Sequence, residues 1–279
     1  MSQRLHILLL GCGKMGSAML RGWLNDTELD AHFTIIEPFE AAVAWLAEAG
    51  LEAGNIRHYP DIQSAGAAEL APVDFALLAV KPQMMEEAAA DLKQLTHDET
   101  AYLSIAAGLS ASWLAHRLGS EARILRAMPN TPAAVGAGIT ALYATNLVSA
   151  AQVALATKLL GAIGEVVHLP EESLIDAVTA LSGSGPAYVF KLVEVMADAG
   201  QKLGLPDAMA QKLARQTVIG AGALMQAVED DAATLRQNVT SKGGTTAAAL
   251  GVLDADAALA RLLAEAMQAA HDRSVELGG

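Results

Sequence analysis

Cysteine occurs once in the 279 residues, at Cys12, which excludes an intrachain disulfide and any cysteine-cluster metal site and suits a reducing compartment. Aromatic residues make up only 4%, while alanine is abundant, a balance that favours close-packed helices over a β-sandwich. Bases are scarce: 18 Lys and Arg stand against 31 Asp and Glu, a formal net charge of −13. The nearest gathering, Arg117 with Arg123 and Arg126, is interspersed with apolar residues, so nucleic acid and anionic membrane are poor partners. No window approaches the ~18 uninterrupted apolar residues of a membrane span. Leu9-Leu10-Gly11-Cys12 looks like a lipoprotein cleavage box, yet the apolar stretch before it is broken by His6 and is shorter than the ~7–15 residues of a signal core. A cytoplasmic protein is expected.

Hydrolase and metal-site motifs are missing too. There is no Gly-x-Ser-x-Gly elbow and no His-Glu-x-x-His, and the seven histidines are scattered. His6, His58, His116 and His271 read as surface or strand-end residues, and Asp254 and Asp256 as a helix break and cap. With 53% hydrophobic residues, the chain can bury a sizeable core, and its length favours two domains over one.

Residues 5–10, LHILLL, read as a buried strand followed at once by a glycine-rich turn and a segment of helical spacing. A second strand at 33–36 ends in Glu37-Pro38, and 41–50 reads as an alanine-rich helix stopping at a glycine C-cap. Alternation continues with strands at 73–80, 101–105, 123–128, 138–143 and 165–169 and helices at 84–95, 110–118 and 149–161. This pattern predicts a Rossmann-type, mostly parallel sheet with helices on both faces. Beyond Pro170 the strand signals cease, and 171–181, 186–203, 206–227, 232–237, 245–253 and 256–277 read as helices. The expected domains are therefore 1–168, α/β, and 169–279, all-α.

Gly11-x-Gly13-x-x-Gly16 occupies the place of a dinucleotide fingerprint: one glycine for the turn, one for approach of the pyrophosphate, one for helix-to-strand packing. Lys14 and Met15 open the helix whose N–H groups would face the phosphates. Glu37 stands about 20 residues on, where an acid binds ribose hydroxyls. Its carboxylate would repel a 2′-phosphate, which favours NADH over NADPH. A glycine turn merely closing a βα unit, with Glu37 a surface residue, is the competing account.

Ala79-Val80-Lys81-Pro82 ends a strand at the sheet's carboxyl edge, where Lys81 could reach a phosphate or ribose or simply be solvated. In Arg126-Ala-Met-Pro-Asn-Thr-Pro132 two prolines stiffen a turn that could press Asn130 and Thr131 towards a nicotinamide, and a purely structural loop fits equally well. Ser182-Gly-Ser-Gly-Pro-Ala-Tyr188 precedes a long helix with Pro186 suited to its first position. Thr240-Ser-Lys-Gly-Gly-Thr-Thr246 is the most informative stretch. Its hydroxyls and the N–H groups of the following helix make a receptor for a carboxylate, beyond what an N-cap requires.

These motifs, in this order over essentially the whole chain, resemble the pyrroline-5-carboxylate reductase family: Gly11-x-Gly13-x-Met15-Gly16, Ala79-Val80-Lys81-Pro82, Met128-Pro-Asn-Thr-Pro132, Leu181-Ser-Gly-Ser-Gly-Pro-Ala-Tyr188 and Asn238-Val-Thr-Ser-Lys-Gly-Gly-Thr-Thr246. Lys242 departs from the proline common there, and Glu37 departs from a family that generally uses NADPH, often with NADH as well. The resemblance implies a Rossmann domain followed by a helical domain that dimerises, with decamers in many members. It implies hydride transfer from NADPH or NADH to L-1-pyrroline-5-carboxylate, giving L-proline. Carried over residue by residue, it places the substrate carboxylate on Ser241, Gly244 and Thr245 and the ring nitrogen on Thr246, with Glu229 a candidate to balance the iminium charge. The cofactor falls to Gly11, Gly13, Lys14, Met15, Gly16, Glu37, Ala79, Lys81, Pro82 and Asn130.

Two rival readings stand beside it. A β-hydroxyacid dehydrogenase shares the plan and would use Lys191, but expects asparagine where this chain has Val195. A non-catalytic NAD(P)-binding redox sensor explains the glycine turn and leaves residues 240–246 without a reason.

Overall fold

The computed structural model describes residues 4–48, 55–68 and 70–278. Elements follow in the order β1 (Leu5–Leu10), α1 (Lys14–Asn25), β2 (Ala31–Ile36), α2 (Glu40–Val43), α3 (Trp45–Glu48), β3 (Ile56–Tyr59), α4 (Ile62–Gly66), β4 (Phe75–Leu78), α5 (Met85–Leu92), β5 (Ala101–Ser104), α6 (Ala111–Leu118), β6 (Arg123–Met128), β7 (Gly138–Ala144), α7 (Ala150–Gly161) and β8 (Gly164–His168). The rest is helical: α8 (Leu174–Val178), a π turn at Thr179–Gly183, then α9 (Gly185–Lys202), α10 (Asp207–Ala227), α11 (Ala232–Asn238), α12 (Thr245–Leu253) and α13 (Ala258–Leu277).

Among the described residues one eight-stranded sheet runs β3-β2-β1-β4-β5-β6-β7-β8, and only the β6/β7 pair is antiparallel. The expected mostly parallel sheet and helical C-terminal region are both present. Alternate residues of β1 enter opposite cores. Ile7 and Leu9 pack with Met19, Leu20 and Trp23 of α1 and Leu159 and Leu160 of α7. Leu8 packs on the other face with Met85 and Leu92 of α5 and Leu114 and Leu118 of α6. Burial on both faces is why β1 is a continuous apolar run.

The structure adds β3 and α4, which sequence reasoning missed. Among the described residues β3 is an edge strand paired with β2, and its Ile-Arg-His-Tyr carries charge because one side faces solvent. The helix expected at 41–50 is divided into the short α2 and α3 around Ala44, and its glycine C-cap, Gly50, lies outside the described residues. His6, expected as a surface or strand-end residue, is buried. Its Nε2 is 2.9 Å from Thr34 Oγ1 and its Nδ1 2.8 Å from the Ala71 carbonyl oxygen, so it ties β1 to the segment entering β4.

The chain forms two compact units, residues 1–183 with 271–279 and residues 184–270. In the first, the end of α13 is keyed to α8: Ser274 Oγ, buried, donates to Asp176 Oδ1 at 2.6 Å. In the second, α9 and α10 pack through small residues, with Ala197, Ala210 and Ala214 buried. Gly204, at φ +100°, makes the turn between them. Large apolar side chains of this unit are exposed, among them Phe190 (64%), Val252 (73%) and Leu262 (63%). No residue of α12 is buried.

Candidate active site

The order β3-β2-β1-β4 reverses direction at β1/β4, and in open α/β sheets ligands bind in the crevice at the carboxyl ends of the two strands flanking that point. The turn between β1 and α1 lies there. Gly11 has φ +94° and donates its N–H to the Ile36 carbonyl at 2.9 Å, while Ala79 N–H donates to the Leu10 carbonyl at 2.8 Å. A Cβ on Gly11 would lie 3.0 Å from the Ala79 backbone, and one on Gly16 only 2.2 Å from the Gly11 carbonyl oxygen. Both glycines are therefore required by packing. Gly13 is different: a Cβ there would meet nothing within 4 Å. It precedes α1 as N-cap with no side-chain capping bond, so the N–H groups of the first turn and the dipole of a twelve-residue helix face the space that Gly13 leaves. These features fit a pyrophosphate. Lys14 opens α1, exposed, and Met15 packs partly against the core.

Glu37 is buried, not a surface glutamate. Its Oε2 accepts the Cys12 N–H at 2.7 Å and its Oε1 the Phe39 N–H at 3.1 Å. The acid at the end of β2 thus also holds the glycine turn. Cys12 between the two glycines is buried, and burial pushes its thiol above the ordinary value. On the other side of the crevice, Lys81 is exposed and precedes a 3-10 turn that Pro82 opens. The structure thus brings Gly11, Gly13, Lys14, Gly16, Glu37, Ala79, Lys81 and Pro82 to one sheet edge.

Asn130 follows β6 on that edge. Its Nδ2 donates to the Ser182 carbonyl at 3.2 Å and its Oδ1 accepts the Ile139 N–H at 3.0 Å. Nearby, Arg126 Nη1 donates to Glu172 Oε1 at 2.7 Å, and the same oxygen accepts the Ala111 N–H at 2.6 Å. Sequence reasoning missed this ion pair. Arg126 stands within an apolar strand, and a buried base in such a run demands an acid partner, but nothing local points to Glu172.

In the second unit, residues 240–246 form a tight turn into α12. Gly243 has φ +73°, and a Cβ on Gly244 would fall 2.4 Å from Ser241 Oγ, so only glycine lets the serine hydroxyl lie against the helix start. Gly244 is the N-cap, with no side-chain capping bond. Ser241, Gly244, Thr245 and Thr246 are thus gathered at one helix N-terminus. Thr245 is exposed and Thr246 half-buried. Glu229 is exposed in the non-helical segment between α10 and α11. Lys191, the residue of the dehydrogenase rival, is exposed and pairs with Glu194 at 2.6 Å, which raises its pKa. A lysine tuned for proton transfer near neutrality needs the opposite shift.

A Rossmann sheet with a glycine turn at its switch point and an acid at the end of β2 is the arrangement of a nicotinamide-dinucleotide-dependent oxidoreductase. Comparison with known proteins narrows the class. A family described as pyrroline-5-carboxylate reductase dimerisation matches residues 172–277, and one described as NADP oxidoreductase, coenzyme F420-dependent, matches residues 6–108. The chain is 40% identical to the pyrroline-5-carboxylate reductase of Synechocystis sp. over 97% of both chains. It is 43% identical to that of Pseudomonas aeruginosa over 78% of this chain and 79% of the relative. The solved structure of a pyrroline-5-carboxylate reductase from Coxiella burnetii superposes with a TM-score of 0.88 at 32% identity, covering 99% of this chain and 100% of that one. The Plasmodium falciparum pyrroline carboxylate reductase with NADP bound gives 0.79 at 25% identity, covering 99% and 98%. The chain belongs to the pyrroline-5-carboxylate reductase family.

Proposed function

We propose that this protein reduces L-1-pyrroline-5-carboxylate to L-proline, the last step of proline biosynthesis, with NADPH or NADH as reductant. The observation that supports the reading is the presence in one chain of a glycine turn at the sheet's switch point and a hydroxyl-rich turn opening α12. A reduced nicotinamide held there would supply a hydride for the carbon of the C=N bond, and in the iminium form of the substrate the ring nitrogen already carries its proton. The chain's work is orientation. Ser241 and the N–H groups at Gly244 and Thr245 hold the substrate carboxylate. Thr246 hydrogen-bonds the ring nitrogen, and Glu229 balances the iminium charge. An iminium is already activated for hydride attack, so no strongly tuned acid or base is required.

Residues 1–168 bind the cofactor and 169–279 the substrate and the partner subunit. Gly11, Gly13, Lys14, Met15 and Gly16 cradle the pyrophosphate, Glu37 the adenosine ribose, and Ala79, Lys81, Pro82 and Asn130 line the edge beyond β1. NADH is preferred, because a 2′-phosphate beside the Glu37 carboxylate sets like charges together. The protein dimerises, with decamers as the further assembly, supported by the exposed apolar helices of the second unit. It works in the cytoplasm, where a lone cysteine stays reduced; among the described residues no helix is long and apolar enough to cross a membrane.

The test follows the loss of reduced-nicotinamide absorbance with pyrroline-5-carboxylate, using NADH and NADPH in parallel and identifying proline as product. Thr246→Ala should lower kcat about 10- to 100-fold with cofactor affinity retained. Equal loss of cofactor binding would assign the turn to the nucleotide instead, and nucleotide binding without turnover would favour the sensor.

A further inference from the structure

We propose that Asn130 is a positioning residue: its buried amide fixes the π turn Thr179–Gly183 on the carboxyl edge of the sheet, and this turn, rather than Asn130 itself, meets the nicotinamide end of the cofactor. The inference rests on the cofactor reading above and deepens it.

β1, β4, β5 and β6 are parallel, so their carboxyl ends form one edge. With the pyrophosphate over the turn after β1 and a ribose at Glu37 after β2, an extended dinucleotide runs its other half over β4, β5 and β6, where Asn130 stands. Yet Asn130 is 9% exposed and its amide is engaged at both ends. The oxygen takes a backbone N–H nine residues ahead, and the nitrogen gives to a carbonyl 52 residues ahead. Pro129 and Pro132 stiffen the chain on either side.

What the nitrogen holds is the exit of a π turn, a winding frequent at functional sites. Here the turn's hydroxyls are directed back to the chain. Thr179 Oγ1 donates to the Ile175 carbonyl at 2.8 Å and Ser182 Oγ to the Val178 carbonyl at 3.2 Å. The Ser182 carbonyl accepts the Asn130 amide N–H. Met128, two residues before Asn130, backs the next residue: a Cβ on Gly183 would meet its sulfur at 3.6 Å. The Asn130 amide holds the turn by a hydrogen bond, beside the packing of Met128 and of the buried Ala180.

The experiment compares wild type with Asn130→Asp, which keeps the acceptor for Ile139 and turns the donor into a repelling oxygen, and Asn130→Ala, which loses both. For each, kcat and KM with pyrroline-5-carboxylate, the Kd of NADH and of ADP-ribose, the emission of bound NADH and the Tm are measured. A displaced turn should lower kcat about 10- to 100-fold, leave both Kd values within about twofold and shift the bound-NADH emission. NADH weakened about tenfold with ADP-ribose unchanged would make Asn130 a direct nicotinamide ligand and overturn the proposal. A lower Tm with unchanged kcat and emission would overturn it as well, leaving only a folding role. Failure of the wild type to reduce the imine would sink the functional reading, and the emission and the two Kd values would still decide the role of Asn130.

Discussion

Gly13 and Gly16 lie one helical turn apart, and a methyl group added at each separates binding from folding. On Gly13 the methyl meets nothing within 4 Å, and its φ of −66° suits any L-residue. Gly13→Ala loses some N-cap preference, about 0.5 kcal/mol, and recovers about 0.4–1 kcal/mol from a stiffer unfolded chain. The Tm should therefore move by less than about 3 °C. On the proposed cofactor placement, the same methyl would intrude where the pyrophosphate approaches the N-terminus of α1. Losing one charge-assisted hydrogen bond, about 1.5–3 kcal/mol, weakens NADH ~10- to 100-fold.

Gly16→Ala reverses the pattern. Its Cβ would fall 2.2 Å from the Gly11 carbonyl oxygen, a backbone atom that cannot rotate away. A helix-propensity gain of about 1 kcal/mol is outweighed by overpacking of about 1–3 kcal/mol or more. A net loss of ~1–2 kcal/mol lowers Tm by roughly 2–8 °C. Thermal melts of the free protein and fluorescence titration with NADH read both variants. Wild-type NADH affinity in Gly13→Ala, or a wild-type melt in Gly16→Ala, would refute the reasoning.

Three further outcomes are expected. On the proposed cofactor placement, Glu37→Gln should narrow the NADH-to-NADPH ratio of kcat/KM by about tenfold; an unchanged ratio would show that Glu37 does not select the cofactor. Glu172→Ala strands Arg126, whose side chain is 9% exposed against 27% for Glu172, and should cost about 2–4 kcal/mol in urea unfolding, much of it recovered when Arg126 is also replaced by Met. Cys12 should resist alkylation at pH 7 and react as pH rises beyond its ordinary 9.0. Its raised pKa means that the stability gained by keeping the thiol neutral is complete below the unfolded value and lost as pH climbs through the folded one; rapid labelling at pH 7 would contradict the burial.

Much of the first unit was legible because its strands are buried on both faces: LHILLL is apolar but for His6, and RILRAM keeps four apolar residues around Arg126. β3 was not, since an edge strand needs only one apolar side and Ile56-Arg57-His58-Tyr59 alternates too briefly to register. The glycine turn was readable as a pattern, but the commitment of Glu37 to the Cys12 N–H was not, because the two lie 25 residues apart and meet only through the pairing of β1 with β2. The π turn left no trace in the spacing of apolar residues. Its signal was polar: hydroxyls at Thr179 and Ser182 bonded back to the fourth preceding carbonyl. The 240–246 turn was readable as a glycine- and hydroxyl-rich entry into a helix, but the positive φ of Gly243 and the approach of the Ser241 hydroxyl to Gly244 were not.

The exposure of α12 has a thermodynamic consequence. A helix that buries no residue within its own chain draws its stability from whatever covers it, and nine residues are too few to hold a helix in water alone. If a second copy provides that cover, order at residues 240–246 becomes a matter of mass action. Dilution would then act on this enzyme as a denaturant directed at one loop, loosening the turn at residues 240–246 while the sheet, with its own closed core, stays intact.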